Sequence, residues 1–112
     1  MKQYEIWMAD LNPRIGTETG KVRPVVITQT NLINATHPST IVCPLTTQVQ
    51  PSVNILRVHL SPNKSNGLDK KSDIMVDQVR AIDNQRLIKK VGTIDTASAS
   101  KLRDNLMILL DL

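Results

Sequence analysis

The chain has 112 residues and a formal charge of +4, with 14 Lys and Arg against 10 Asp and Glu. A chain of this length buries roughly two-thirds of its unfolded surface, so we expect one domain over residues 1–112 with no room for a second core. The positive charge favours an anionic partner, although ordinary solubility explains it equally well. With no Phe, one Trp and one Tyr, the composition argues against extensive stacking of bases on aromatic side chains.

Cysteine usage and hydropathy favour a cytoplasmic protein. Cys43 is the lone cysteine and has no partner for an internal disulfide, and the N-terminus lacks the apolar run of a secretory signal. No segment approaches the roughly 18 to 20 consecutive apolar residues that span a bilayer, so we expect no membrane partner. Because its neighbours offer no base to activate a thiolate, we interpret Cys43 as a small core residue.

Short β-prone segments dominate the chain up to about Ile94, and turn-forming residues separate them at tight intervals. Asn12-Pro13, Gly16 and Gly20 mark a long connection before the second strand. The predicted strands are Tyr4–Asp10, Pro24–Thr28, Thr40–Pro44, Ile55–Leu60, Ile74–Ile82 and Lys90–Ile94. Their number and spacing predict a mainly β (α+β) fold with an antiparallel sheet that is curled toward a barrel.

Two segments are predicted to be helical. Asp83–Leu87 is long enough for one short helical turn. Asp95 is a good N-cap for a C-terminal helix that lies on the sheet, because apolar residues recur after it at three- and four-residue steps. The predicted apolar stripe consists of Ala99, Leu102, Leu106, Leu109 and Leu110. Met107 and Ile108 widen this apolar surface, which fits either deep burial or a subunit contact.

Arg23 and Thr46 are the leading candidates for a functional site. Arg23 lies in the run GTETGKVRPVVI and Thr46 in the run VCPLTTQ, each where a polar loop meets a strongly β-forming segment. The fold could therefore bring a guanidinium and a hydroxyl together at one sheet edge. This pair suits a phosphate, because the guanidinium is a planar fork of donors and the hydroxyl adds another. The alternative is an ordinary strand-end arginine and threonine.

Together with a third run, SDIMVDQVRAIDNQRL at positions 72–87, these two runs resemble the MazF/PemK family of toxin endoribonucleases. The three runs occur in the family's order and span nearly the whole chain. The resemblance implies a barrel-like, SH3-like twisted sheet with a short helix and a C-terminal helix. It also implies the toxin of a type II toxin–antitoxin pair: a homodimer that holds single-stranded RNA in a groove at the dimer interface and binds a cognate antitoxin protein.

RNA carries its own nucleophile, the 2′-hydroxyl beside each phosphodiester, so cleavage without a metal or cofactor is expected. The products would be a 2′,3′-cyclic phosphate and a 5′-hydroxyl. The resemblance implies Arg23 and Thr46 as catalytic residues: Arg23 would stabilise charge on the phosphorus and could protonate the leaving oxygen, whereas Thr46 would fix the phosphate. Glu18 is the local candidate for the general base. Its alternative is a solvated glutamate paired with Lys21.

Base recognition is expected from the third run. Asp77-Gln78 matches an acidic-residue/Gln pair that reads bases in similar proteins, and Ser72 is a weaker match. Strand-end capping is the alternative for the pair, and Asp77 stands where Glu is frequent, so no recognition sequence is predicted. The expected RNA-binding residues are Thr17, Lys21, Thr47, Gln48, Ser72, Asp77 and Gln78.

The remaining polar residues carry no clear motif. His37 and His59 lie outside the three runs and are interpreted as structural or solvent-facing, and no acidic cluster has the spacing of a metal site. A different class of function stays open, namely a non-catalytic small barrel that binds nucleic acid or a gyrase-poisoning toxin of similar fold. The gyrase poisons end in an aromatic-containing tail that this chain lacks, and an inactive relative is a further alternative.

Overall fold

The computed structural model describes residues 1–112. Seven strands precede one long helix, α1, which spans Thr96–Leu110. The strands are β1 (Glu5–Asp10), β2 (Val22–Ile27), β3 (Ser39–Thr46), β4 (Arg57–Leu60), β5 (Ser72–Met75), β6 (Arg80–Asp83) and β7 (Leu87–Thr93). Two 3₁₀ helices, Val76–Gln78 and Asn84–Arg86, lie on either side of β6.

All strand pairs are antiparallel, and the strands follow the order β4-β5-β3-β2-β1-β7, with β6 paired to β3. The central strand is β3. Its first half pairs with β6, its middle with β2 and its end with β5. This arrangement confirms the predicted antiparallel fold, with one refinement: the twisted sheet stays open, because β4 and β7, at the two ends of this order, do not pair with each other.

The predicted strand Ile74–Ile82 is wrong as a single element. β5 ends at Met75, the chain turns through the 3₁₀ helix Val76–Gln78, and β6 begins at Arg80. The physical reason is that β5 and β6 pair with opposite ends of β3, so the chain must bend between them. The smaller predicted turn is confirmed at Asn84–Arg86, where the Asp83 carboxylate caps the helix by accepting a hydrogen bond of 2.8 Å from Gln85 N.

Buried apolar side chains form two clusters, one on each face of the sheet. Successive strand residues point to opposite faces of a sheet, and neighbours such as Val25 and Val26 fall in different clusters. The larger cluster lies between the sheet and α1 and comprises Ile6, Val26, Cys43, Leu45, Val58, Leu60, Ile74, Val76, Ile94, Ala99 and Leu102. The smaller one comprises Ala9, Leu11, Val25, Ile27, Val42 and Ile82.

The C-terminal helix begins as expected. The Asp95 carboxylate accepts a hydrogen bond of 2.7 Å from Ser98 N, which confirms the predicted N-cap. Leu102 is fully buried, but Leu110 is 55% exposed and does not belong to the buried stripe. Ala99 is buried, Leu106 and Leu109 are partly buried, and Met107 and Ile108 are exposed. No helix of the protein is long and apolar enough to cross a membrane.

Candidate active site

Hydrogen bonds fix the loop between β1 and β2 at the point where it joins β2. At its base, Leu11 N donates to Lys21 O at 2.9 Å and Lys21 N donates to the side-chain oxygen of Asn12 at 2.8 Å. Arg86, from the second 3₁₀ helix, donates to the carbonyl oxygens of Asp10 and Asn12. Lys21 itself has a φ of 71°, a conformation that residues other than glycine seldom adopt. These contacts place Arg23, two residues later, at the start of the strand.

The guanidinium of Arg23 is held by two backbone carbonyls. Its Nε donates to Gly20 O at 2.8 Å and its Nη1 donates to Leu45 O at 3.1 Å. An arginine has five N–H donors, so three remain for a ligand. Partial burial lowers the pKa of Arg23, yet an arginine stays protonated in proteins at neutral pH. A larger residue at position 20 would clash, because its Cβ would lie 2.6 Å from the Cβ of Arg14.

Thr46 lies beside Arg23 at the end of β3. β2 and β3 pair as far as Val25 and Pro44, and Nη1 of Arg23 donates to the carbonyl oxygen of Leu45, the residue before Thr46. The Thr46 hydroxyl oxygen accepts a hydrogen bond of 3.1 Å from Gln48 N. Its own proton is therefore available to a ligand. The structure thus brings together the guanidinium and the hydroxyl that the sequence pointed to.

Both side chains line one groove with a volume of about 620 Å³. Nine of the ten expected site residues line this groove, and Asp77 does not. The nine are Thr17, Glu18, Lys21, Arg23, Thr46, Thr47, Gln48, Ser72 and Gln78. Only three of the 16 lining residues are hydrophobic, so the groove suits a charged, hydrated ligand.

Glu18 and Asp77 differ in their placement. Glu18 is exposed at the groove and forms no salt bridge with Lys21, so the solvated ion pair considered for it is not formed. Asp77 is exposed on the 3₁₀ helix Val76–Gln78, outside the groove. Its charge instead acts on Cys43: burial, and secondarily Asp77, raises the pKa of the Cys43 thiol to about 12. The thiol is therefore protonated and unreactive, as the interpretation of a core cysteine requires.

Seven lining residues were not among the expected site residues, namely Arg14, Thr19, Gly20, Val22, Pro24, Leu45 and Met75. Arg14 adds a third cationic side chain and could have been suspected, since it lies in the same loop as Lys21. The Thr19 hydroxyl lies 3.4 Å from Oε1 of Gln78 and links the loop to the 3₁₀ helix Val76–Gln78. Nothing in the sequence indicates that contact, because 59 positions separate the two residues.

A buried acidic residue lies next to this site. Asp73 pairs with Thr46 in the sheet, and its carboxylate is surrounded by Arg57, His59 and the backbone N–H of Gln50. Burial raises the pKa of Asp73, but hydrogen bonds from Gln50, His59 and Arg57 outweigh burial and hold the pKa below its ordinary value. The Asp73 carboxylate is therefore ionised at neutral pH.

The two histidines lie outside the groove. His59 contacts Asp73, and His37 is exposed, with its Nδ1 3.1 Å from Ser39 O. Nowhere in the chain do three or more His, Cys, Asp or Glu side chains come together in a group that could hold a metal ion.

Comparison with known proteins gives the family. The model of the PemK-like, MazF-like toxins of type II toxin–antitoxin systems matches residues 2–110. The chain is 35% identical over 112 residues to endoribonuclease EndoA of Bacillus subtilis strain 168. The aligned region covers the whole of this chain and 96% of EndoA.

Solved structures share the fold. A crystal structure of MazF from Deinococcus radiodurans has a TM-score of 0.85 and 19% identity, covering 100% of this chain and 97% of that one. A mycobacterial endoribonuclease in complex with its cognate antitoxin has a TM-score of 0.77 and 17% identity, covering 100% and 96%. The family match spans nearly all of the sequence, and the chain belongs to the PemK-like, MazF-like toxins of type II toxin–antitoxin systems.

Proposed function

We propose that this protein is a sequence-selective endoribonuclease that cleaves single-stranded RNA without a metal. The observation that carries the proposal is the placement of Arg23 and Thr46 in one polar groove, with the guanidinium fixed by two carbonyls and three of its donors free. The name of the Bacillus subtilis relative, an endoribonuclease, supports the same activity.

The proposed reaction is an in-line displacement at phosphorus. The 2′-oxygen of RNA attacks the adjacent phosphorus, its proton passes to a base, and the bond from phosphorus to the 5′-oxygen breaks. A 2′,3′-cyclic phosphate and a 5′-hydroxyl result. Negative charge accumulates on the phosphoryl oxygens during this step, and a donor that is already oriented stabilises it without reorganisation. The free N–H groups of Arg23 have that role.

Thr46 and Glu18 complete the proposed chemistry. The Thr46 hydroxyl donates to a phosphate oxygen and so holds the phosphorus in line with the 2′-oxygen. Glu18 lines the same groove, is exposed and has no ionic partner, so its carboxylate is free to accept the 2′-proton. Thr46 itself is neutral and is a poor base.

Recognition of RNA rests on the rest of the groove. Arg14 and Lys21 add positive charge for neighbouring phosphates. Amide and hydroxyl groups, which can pair with the edges of unstacked bases, come from Thr17, Thr47, Gln48, Ser72 and Gln78. Asp77 lies outside the groove, so we propose for it an indirect contact with RNA.

We further propose a homodimer in the cytoplasm whose groove is closed by a cognate antitoxin. Met107, Ile108 and Leu110 are exposed apolar residues near the end of α1, and α1 packs against the 3₁₀ helix that supplies Gln78 to the groove. Association through α1 would connect the dimer contact to the RNA site. The mycobacterial structure with its antitoxin supports the choice of partner.

Mapping the 5′ ends of RNA fragments made by the purified protein tests activity and specificity together. The expected result is a set of cuts at one short sequence, undiminished in excess EDTA, with 5′-hydroxyl ends. A single 2′-deoxy substitution at the scissile nucleotide is expected to stop the reaction. If the deoxy substrate is cut at the normal rate, the nucleophile is not the 2′-oxygen and the mechanism is wrong.

A further inference from the structure

A fully buried carboxylate lies beside the groove and takes no part in the chemistry above. Asp73 Oδ2 accepts from Gln50 N at 2.9 Å and from Arg57 Nη1 at 3.1 Å, and its Oδ1 lies 2.6 Å from Nδ1 of His59. None of these four residues lines the groove. Burying ionic groups is costly, and apolar residues of similar volume are often as stable, so stability alone gives no reason for the cluster.

The cluster is connected to Thr46 through the backbone that follows β3. Asp73 lies directly opposite Thr46 in the sheet. The guanidinium that contacts Asp73 also donates to Gln48 O, at 3.3 Å from Arg57 Nη1. Gln48 N in turn donates to the Thr46 hydroxyl oxygen at 3.1 Å. A single carboxylate therefore holds the segment after Thr46 at two points, directly at Gln50 and through Arg57 at Gln48.

Residues 47–50 have little other support. Their one backbone–backbone hydrogen bond is local, from Val53 N to Gln50 O. Thr47 and Gln48 are exposed and line the groove. Without the Asp73 cluster, this groove wall would be free to move relative to Arg23, which is fixed separately by Gly20 and Leu45.

We propose that Asp73 is a positioning residue for RNA cleavage. Its carboxylate, acting through Arg57 and Gln50, fixes the segment after Thr46 so that the Thr46 hydroxyl stands at the right place relative to the Arg23 guanidinium. This inference rests on the endoribonuclease activity proposed above. His59 contacts the other oxygen of the carboxylate and forms no hydrogen bond with the segment, so it has no positioning role.

Arg57→Gln and His59→Gln form a matched pair for the test. Each removes one partner of the same carboxylate on the same strand, but only Arg57 also touches Gln48. We expect Arg57→Gln to lower kcat about tenfold with KM nearly unchanged, since displacement of a reacting group by about 1 Å can cost a hundredfold. His59→Gln should keep kcat within about twofold of the wild type, and Asp73→Asn should lose about tenfold to a hundredfold.

Hydrogen exchange of the Gln48 and Gln50 amides supplies a readout that does not need activity. Faster exchange in Arg57→Gln than in His59→Gln is expected at Gln48, with each variant checked for folding by circular dichroism. Equal kcat and equal exchange in the two variants would overturn the positioning role. If Asp73→Asn does not fold, the comparison of Arg57→Gln with His59→Gln is enough to test the positioning role. A wild type that cuts no RNA would overturn the proposed function, whereas the exchange result would still decide whether Asp73 holds the segment.

Discussion

Leu45 of β3 holds the guanidinium of Arg23, because its carbonyl oxygen accepts a hydrogen bond of 3.1 Å from Nη1. The next residue along β3 is Thr46. One strand end therefore fixes the cation and carries the hydroxyl. Such preorganisation is what electrostatic stabilisation of a transition state requires.

Removal of the Arg23 guanidinium should abolish most RNA cleavage. We expect Arg23→Ala to lower kcat about a hundred- to a thousandfold, the usual cost of losing one oriented donor. Arg103→Ala is the control, since Arg103 is exposed on α1 and does not line the groove. Initial cleavage rates on one defined RNA measure both variants. Near-normal turnover by Arg23→Ala would show that the groove is not the site of chemistry.

Thr46 can be tested by separating its hydroxyl from its methyl group. Thr46→Ser keeps the hydroxyl and should retain cleavage within about tenfold, whereas Thr46→Val keeps the shape and should lose about a hundredfold, because the donor to phosphate is gone. Single-turnover rates with saturating enzyme report the chemical step. Equal rates in the two variants would mean that the hydroxyl has no part in it.

The sequence identified the residues that line the groove better than the contacts that support them. Arg23 and Thr46 were singled out because each lies where a polar loop meets a β-forming run and because those runs resemble the MazF/PemK family, and Asp95 was predicted because a helix cap is a local feature. The bend at Val76 was invisible, since Ile74–Ile82 is β-prone throughout and only its pairing with two ends of β3 divides it.

Long-range contacts explain the other omissions. Asp73 looks like an ordinary strand residue in the sequence, and its partners Arg57 and His59 lie 16 and 14 positions away. The contact between Thr19 and Gln78 is also long-range, because it joins the loop before β2 to the 3₁₀ helix Val76–Gln78. No periodicity or turn signal encodes such contacts, because they depend on which strands become neighbours.

Asp77 and Gln78 are expected to differ in their effect on specificity. Gln78 lines the groove and contacts Thr19, whereas Asp77 is exposed outside it. Gln78→Ala should therefore redistribute the cleaved sequences. We expect a loss of about 1–3 kcal/mol of discrimination at the base that Gln78 reads, which is the range for a good base contact in DNA. Asp77→Ala should change them less. Cleavage-site mapping across a pool of random RNA measures both, and a larger effect of Asp77→Ala would contradict this assignment.

The stability contributed by Asp73 should depend on pH. Its pKa in the folded protein lies below the ordinary value of 3.8, so the unfolded chain binds the proton more tightly and the carboxylate stabilises the fold above that range. The contribution is lost as pH falls through the folded-state pKa. We expect Asp73→Asn to lower the free energy of unfolding by about 1–3 kcal/mol at pH 7, because Arg57 and His59 lose their charged partner.

Urea unfolding at fixed protein concentration, from pH 7 down to about pH 3, measures this difference. The difference between wild type and Asp73→Asn should begin to narrow as pH falls below about 3.8, where the unfolded chain takes up the proton, and should narrow further as pH approaches the lower folded-state pKa. His37→Gln is a suitable control, since His37 is exposed and its side chain hydrogen-bonds only with the nearby Ser39. A difference between wild type and Asp73→Asn that stays constant down to pH 3 would show that the charge of Asp73 does not contribute.

The dimer can be tested through the exposed apolar residues of α1. Ile108 is 59% exposed, and an apolar side chain of this size is a candidate for a subunit contact. Ile108→Lys should convert a dimer, with about twice the 12.5 kDa mass of the chain, into a monomer, as measured by light scattering. Ser100→Lys adds the same charge at an exposed polar position of α1 and should leave the dimer intact.

Binding of RNA should then compete with binding of the antitoxin. An antitoxin segment with acidic and apolar side chains would satisfy Arg23 and Lys21 in place of phosphate, with an affinity that weakens as salt screens the charges. Arg23→Ala, which does not cut, can bind labelled RNA, and added antitoxin peptide should displace that RNA at low salt and less at high salt. A complex that binds RNA and peptide together, or a fully active monomer of Ile108→Lys, would contradict a shared groove in a dimer.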